Sequence, residues 1–110
     1  MSDPIARAYE LLDAQDRAGA IAYLRAVHGG EAAGLLGELL LEQGEVAEAA
    51  DALSRALETE PDHIPWRRAL MTALMAEGRA EDALAACRSL LDLRPDDAAG
   101  QAGMARLLLD

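Results

Sequence analysis

The side chains best suited to chemistry are few and lie far apart along the chain. His28 and His63, the two histidines, form neither an H-x-x-x-H nor an H-E-x-x-H spacing, so we expect exposed turn residues rather than metal ligands. Cys87, the one cysteine, falls on an apolar stripe, which indicates a small core residue rather than a nucleophile. The sequence therefore predicts no catalytic site, no metal and no cofactor, in a protein that is not an enzyme.

The composition indicates helices and an acidic surface. Alanine and leucine, both strong helix formers, dominate the 110 residues, whereas Phe is absent and Tyr9, Tyr23 and Trp66 are the only aromatics. The formal net charge of -10 disfavours nucleic acid and anionic membranes as partners, because an acidic domain repels phosphate groups. Two interpretations of the charge stay open: a surface that keeps the domain soluble, and a surface that attracts a basic partner segment.

The sequence carries no sign of a targeting or membrane-spanning segment. The first residues, Met1-Ser2-Asp3-Pro4, lack the basic and apolar regions of a signal peptide. No run of about 18 apolar residues occurs that could cross a bilayer. A single cysteine fits a reducing compartment, and we therefore predict a cytoplasmic protein without a membrane partner.

A period of 34 residues runs through the middle of the chain. Pro61 and Pro95 lie 34 residues apart, and aspartates follow both in the pairs Asp62-His63 and Asp96-Asp97, where helix N-capping accounts for them. Five further pairs share this spacing: Leu36 and Leu70, Leu40 and Leu74, Gly44 and Gly78, Ala49 and Ala83, and Leu57 and Leu91. So many matches in one register, without a gap, indicate an internal repeat.

Each period predicts two helices that are separated by a glycine turn and ended by a proline. Leucines at helical spacing mark one face, and we predict helices over residues 32–43, 46–59, 65–77 and 80–93. Gly44 suits the left-handed conformation that ends a helix, and Pro65 suits a first turn, where its missing N–H costs nothing. Ala49 and Ala83 fall where the two helices of a hairpin should cross, and larger side chains there would force the axes apart.

These hairpins resemble tetratricopeptide repeats, whose 34-residue pattern is W-x-x-L-G-x-x-Y, then A-x-x-x-F, then P. The first unit reads Ala33-x-x-Leu36-Gly37-x-x-Leu40, Ala49-x-x-x-Leu53 and Pro61, and the second reads Arg67-x-x-Leu70-Met71-x-x-Leu74, Ala83-x-x-x-Cys87 and Pro95. Smaller apolar residues replace the family's aromatics, and Trp66 lies one residue before its expected place. The resemblance implies an all-α, right-handed superhelical stack of antiparallel helix-turn-helix repeats, an α-solenoid of about seven helices.

We predict that residues 1–110 form one domain. Residues 4–29 form a degenerate N-terminal hairpin with helices over 4–14 and 16–28, residues 30–63 and 64–97 form two repeats, and residues 98–110 form a C-terminal half-repeat or capping helix. The next turn glycine would fall at position 112, beyond Asp110, and Leu107, Leu108 and Leu109 cannot all face the second repeat. Three explanations stay open: a fragment of a longer protein, self-association through these leucines, and a plain cap.

The resemblance also implies where a partner would bind, because the first helices of successive repeats line the concave surface of such a stack. Carried onto this chain, the predicted groove comprises Glu38, Leu41, Glu42, Arg68, Thr72, Met75 and Arg106. Leu41 and Met75 would expose apolar area unless a peptide or helix covers them. The Lys and Asn residues with which some members bind a terminal carboxylate are not reproduced, although Arg68 or Arg106 could pair with one.

The predicted function is a protein–protein interaction scaffold or adaptor that binds a peptide or helix in the concave groove. One alternative is the non-catalytic repeat domain of a larger bacterial enzyme, such as a transferase or hydroxylase. Another is a structural unit that self-associates as a homo-oligomer through its C-terminal helix. The sequence does not identify the partner.

Overall fold

Seven helices follow one another through residues 3–109, the part of the chain that this computed structural model describes. They are α1 (Pro4–Asp13), α2 (Arg17–Ala26), α3 (Gly30–Glu42), α4 (Val46–Thr59), α5 (Ile64–Ala76), α6 (Ala80–Leu93) and α7 (Ala98–Leu109). Met1, Ser2 and Asp110, the last of which the sequence assigned to the final helix, lie outside the described residues. The all-α architecture of helical hairpins predicted from the repeat is confirmed.

Three helix starts recur at the period of the repeat, directly after Gly29, His63 and Asp97. His63 Nδ1 accepts a hydrogen bond from the backbone N–H of Trp66 at 3.3 Å, and Asp97 Oδ2 accepts one from the N–H of Gly100 at 2.9 Å. Both side chains thereby satisfy an N–H group that has no partner inside the helix. Gly29 has no side chain and supplies no such bond.

The observed helix starts differ from the sequence predictions in which residues act as N-caps and in where two helices begin. N-capping holds for Asp97 but is wrong for Asp62 and Asp96, which are exposed in the turns just before the caps. The helices α3 and α5 also begin earlier than predicted, at Gly30 and Ile64. The predicted bounds of α4 and α6 are confirmed to the residue.

The turns between helices depend on a few unusual backbone angles. Gly44 (φ 85°) and Gly78 (φ 75°) adopt the left-handed conformation after α3 and α5, as the repeat predicted for Gly44. In the N-terminal hairpin the equivalent role falls to Gln15 (φ 62°), so the sequence offers no glycine signal there. The helix α2 ends at Ala26, two residues before its predicted end, because Val27 takes an extended conformation.

Small and apolar side chains fill the interior of each hairpin. Ala49 in α4 and Ala83 in α6 are fully buried, which allows each second helix to pack closely on the first. Cys87 is also fully buried, so its prediction as a core residue is confirmed. Burial raises the pKa of the Cys87 thiol, which disfavours the thiolate that a nucleophile requires.

Contacts between alternate helices define the two sides of the stack. Each helix packs on the next, and in addition α1 contacts α3, α3 contacts α5, and α5 contacts α7. Within the described residues α2, α4 and α6 make no comparable contacts with one another. The odd-numbered helices therefore lie side by side on an inner surface, while the even-numbered helices form the outer side of a molecule measuring 47 × 24 × 19 Å.

Candidate functional site

Two depressions lie on the inner surface, one at each end of α5. The first, here called the acidic pocket, has a volume of about 270 Å³ and is lined chiefly by Tyr9, Glu31, Leu35, Glu38, His63 and Trp66. The second, the methionine pocket, has a volume of about 350 Å³ and is lined chiefly by Met71, Thr72, Met75, Ala102, Gly103 and Arg106. One surface thus combines an aromatic and negatively charged cavity with an apolar one.

The methionine pocket exists because α7 presents small residues towards α5. Ala102 and Gly103 line it together with Met71, which is buried, and Met75, which is half-buried. The Thr72 hydroxyl already donates to the carbonyl oxygen of Arg68 at 3.0 Å, so it offers a ligand little beyond an accepting lone pair. Methionine side chains adapt their shape easily, and this pocket can therefore accept apolar groups of more than one outline.

Arg106 supplies the positive charge at the rim of the methionine pocket. Its side chain is exposed, and among residues 3–109 it makes no ion pair. A guanidinium in this state can still donate paired hydrogen bonds to a carboxylate or carbonyl group of a ligand.

The acidic pocket is built around Trp66. The indole stacks on the His63 ring with centroids 3.6 Å apart and an interplanar angle of 15°. It lies directly against Gly34 of α3, where a Cβ atom would stand only 2.2 Å from the ring. On the opposite wall, Tyr9 of α1 leaves 52% of its surface exposed. The pocket therefore joins a rigid aromatic base to an accessible phenol ring.

Glu38 provides a carboxylate that is partly withdrawn from water. Burial raises the pKa of Glu38, and the neighbouring His63 and Trp66 side chains only partly offset that rise. The nearby charge of Glu42 raises the same pKa further. A positive group that entered the pocket would stabilise the ionised form of Glu38.

The Arg68 side chain makes a structural ion pair within the fold and does not face a ligand-binding pocket. Its Nε donates to Asp97 Oδ1 at 2.8 Å, and its Nη2 donates to the same oxygen. The Asp97 side chain is only 1% exposed, and the Arg68 guanidinium followed by the Gly100 N–H holds the pKa of that carboxyl below its usual range. This ion pair connects α5 to the N-terminal end of α7.

The structure distributes the predicted groove residues over three environments. Thr72, Met75 and Arg106 meet in the methionine pocket, and Glu38 lies in the acidic pocket. The other three residues line neither pocket: Leu41 is half-buried against the core, Glu42 pairs with Arg17 of α2, and Arg68 pairs with Asp97. Leu41 and Met75 both pack partly into the core, so these two side chains expose less apolar area than predicted.

Several lining residues were not among those predicted. Glu31, Pro65 and Ala99 lie on the inner surface at the 34-residue spacing, so the repeat register contained the signal that identifies them. Tyr9 carried no such signal, because the N-terminal hairpin is out of phase with the two repeats. His28 is exposed as predicted, whereas His63 is half-buried and stacked, which corrects its prediction as a solvated residue.

Features outside the two pockets add little chemistry. Within the described residues, no group of three or more His, Cys, Asp or Glu side chains is placed to hold a metal ion. None of the described helices has both the length and the apolar character needed to cross a membrane. At the end of α7, Leu107 packs on the core, whereas Leu108 and Leu109 are 63% and 84% exposed.

Comparisons with known proteins give a consistent result. The tetratricopeptide repeat family model matches residues 11–74, which is more than half of the chain. No curated protein matches the sequence. The fold is similar to MamA from MSR-1 (20% identity, TM-score 0.81), covering 93% of this chain and 62% of MamA, so the chain spans less than two thirds of that protein.

Two further solved structures resemble the chain. One is the second tetratricopeptide domain of human RPAP3 in complex with an HSP70 peptide, at 14% identity and a TM-score of 0.80, covering 96% of this chain and 92% of that domain. The other is an O-GlcNAc transferase from Thermobaculum terrenum, at 27% identity and a TM-score of 0.71, covering 96% of this chain and 21% of the transferase.

Proposed function

Because the chain belongs to the tetratricopeptide repeat family, we propose that it is an interaction scaffold or adaptor. Its ligand is a peptide or helical segment of another protein, bound along the inner surface formed by α1, α3, α5 and α7. The observation that carries the proposal is the presence of two pockets of different chemistry on that one surface. The peptide complex of the RPAP3 domain supports it by likeness of fold.

The dimensions of the inner surface suit an extended or helical segment. The two pockets lie at opposite ends of α5, a helix of 13 residues that is about 20 Å long at 1.5 Å per residue. A segment that fills both pockets can anchor one side chain in each, while its backbone follows α5. Both pockets are open to solvent, which supports binding rather than catalysis, because catalysis benefits from exclusion of water.

Two substitutions on the inner surface and two on the outer surface test this function. The intact chain is used to select binders from a library of displayed random peptides. We expect Thr72→Glu and Arg106→Glu each to weaken the binding of the selected peptides about tenfold, which corresponds to about 1.4 kcal/mol of binding free energy. Ser54→Glu on the exposed side of α4 is the matched control for Thr72→Glu, and Arg88→Glu on the exposed side of α6 is the matched control for Arg106→Glu. Equal affinity of all variants would argue against the inner surface.

Thr72 and Arg106 are better test sites than Arg68 or Leu41. Arg68 fastens α5 to α7 through Asp97, and Leu41 packs against the core, so a change at either residue alters the fold as well as the surface. Circular dichroism of each variant verifies that the helices are retained.

A second candidate function is that of a non-catalytic repeat domain within a larger enzyme. The observation that favours it is the likeness to one fifth of the O-GlcNAc transferase chain. Sequencing the gene on both sides of this region tests the proposal. A neighbouring transferase domain in the same reading frame would support it, and a reading frame limited to these residues would contradict it.

A third candidate is self-association through α7, which is favoured by the exposure of Leu108 and Leu109. In sedimentation experiments at high protein concentration we expect a dimer that Leu109→Glu converts to monomer. A monomer at every concentration would contradict this function. Leu108 and Leu109 line neither pocket, so Leu109→Glu tests self-association separately from peptide binding.

A further inference from the structure

We propose that the acidic pocket binds a lysine or arginine side chain of the partner segment, so that this end of the inner surface selects a basic residue. The inference rests on the proposed binding of a peptide and adds the chemistry of its recognition. It is carried by a half-buried carboxylate without an arginine partner, an exposed aromatic ring and apolar walls that meet in one cavity.

Glu38 differs from the other shielded carboxylates of the described chain. Four carboxylates within residues 3–109 are half-buried or buried: Glu38, Glu48, Glu77 and Asp97. Three of them contact an arginine, namely Arg25 at 2.8 Å from Glu48, Arg79 at 3.2 Å from Glu77, and Arg68 beside Asp97. Glu38 pairs with no arginine among the described residues, and the neighbouring His63 and Trp66 side chains only partly compensate its withdrawal from water. A shielded carboxylate is unfavourable unless a positive group compensates it, so the site favours a cation.

The remaining walls fit the other parts of a basic side chain. Tyr9 presents an exposed ring, over which an ammonium or guanidinium group is stabilised by the electrons of the aromatic face. Leu35 and Ile5 supply apolar contacts for the aliphatic stem. Glu31 lies at the exposed rim and adds a second negative charge.

The charge of the whole chain supports the same occupant. With a formal net charge of -10, the protein attracts positively charged segments and repels negatively charged ones at long range. Arg106, which makes no ion pair among residues 3–109, lies at the methionine pocket at the other end of α5. Glu31 and Glu38 in the acidic pocket therefore lie away from that guanidinium, and a cation is the ligand that complements them.

Selection from random displayed peptides tests the inference with the intact protein, its Glu38→Gln variant and a matched control. Glu81→Gln removes the same charge from an exposed position on α6 and leaves the net charge equal to that of Glu38→Gln. We expect the parent and Glu81→Gln to enrich peptides with a lysine or arginine at one fixed position. Glu38→Gln should lose this preference.

The outcomes separate the inference from the proposed function. Peptides that bind the inner surface without any basic preference would overturn the acidic-pocket assignment and leave the scaffold function intact. Failure to enrich any peptide would contradict both. A basic preference retained by Glu38→Gln would show that another surface selects the cation, and would likewise overturn the assignment.

Trp66 offers a direct readout, because it is the single tryptophan and lines the pocket. Its fluorescence is followed while a selected peptide, or its analogue with norleucine in place of the basic residue, is added. We expect the norleucine analogue to bind the parent about tenfold more weakly. The difference should shrink to about twofold in Glu38→Gln. An unchanged difference in the variant would contradict contact between Glu38 and the cation.

Discussion

At Gly34 the backbone of α3 approaches the Trp66 indole so closely that no side chain fits between them. A Cβ atom would lie 2.2 Å from the ring, which is rigid and also stacked on His63. An added methyl group favours the helix by about 1 kcal/mol, but overpacking against a fixed ring costs about 3 kcal/mol. We therefore expect Gly34→Ala to lower the free energy of unfolding by about 2 kcal/mol, measured by urea denaturation.

Gly103→Ala is the control for this prediction. There the nearest atoms to an added Cβ are Met71 Sδ at 3.0 Å and Cys87 Sγ at 3.1 Å. The flexible Met71 side chain can move aside, and the gain in helix propensity offsets the crowding. We expect a change of no more than about 0.5 kcal/mol. Equal destabilisation by both substitutions would show that the Trp66 contact is not the cause.

Asp97 is expected to contribute more to stability than its neighbour Asp96. Asp97→Ala removes the N-cap of α7 and the partner of Arg68, whereas Asp96→Ala changes an exposed turn residue. Loss of the cap alone lowers the free energy of unfolding by about 1 kcal/mol. Thermal or urea denaturation should show that loss for Asp97→Ala and little change for Asp96→Ala.

The contribution of Asp97 should also depend on pH. Its pKa is lowered in the folded state, mainly by Arg68, from an ordinary value of 3.8. A lowered pKa stabilises the fold above the ordinary value, and this contribution disappears as the pH falls through the folded-state pKa. The stability difference between the parent and Asp97→Asn should therefore be constant near neutral pH and shrink below about pH 4. A constant difference down to pH 2 would contradict the ion pair.

The repeat predicts individual residues only where both units use a position in the same way. Thr72 and Arg106 follow from the register, because their position faces the inner surface in each unit. The Arg68–Asp97 pair does not, since the equivalent positions in the previous unit are Gly34 and His63. There the Trp66 ring occupies the space instead of an arginine. Such exchanges depend on packing between helices, which a period of 34 residues does not encode.

The pairing of α3 with α4 depends on small side chains at the point where the helices cross. Ala49 is fully buried there, and Gly37 lies opposite, where an added Cβ would be 2.5 Å from Leu53. We expect Ala49→Leu to lower the free energy of unfolding by about 2–3 kcal/mol, because the helices must separate. Ala47→Leu, at an exposed position of the same helix, should change it by less than about 0.5 kcal/mol.

Among the elements, the helices of the regular repeats were the most predictable. The sequence gives α4 and α6 both a glycine turn before them and a proline after them, so both ends are marked. The N-terminal hairpin lacks these markers, because its turn relies on Gln15 in a left-handed conformation and α2 stops without a proline. As a result α2 was predicted too long, and the contribution of α1 to the acidic pocket was not foreseen.

The whole described molecule is a linear stack in which each helix contacts its neighbours along the chain, and each odd-numbered helix also contacts the next odd-numbered one. In such a stack the central helices are covered on both sides and the terminal ones on one side only. Hydrogen exchange should therefore be slowest in α3 and α4 and fastest in α1 and α7. Equal protection of all seven helices would indicate that the stack unfolds only as one unit.

The location of the ligand on the whole molecule is the central claim, and chemical-shift mapping by NMR tests it most directly. A displayed peptide selected by the intact chain is added to isotope-labelled protein, and the backbone amides that shift are assigned. The account predicts shifts concentrated on the inner faces of α1, α3, α5 and α7, including Glu38, Thr72 and Arg106. Shifts confined to α2, α4 and α6 on the outer side would contradict it.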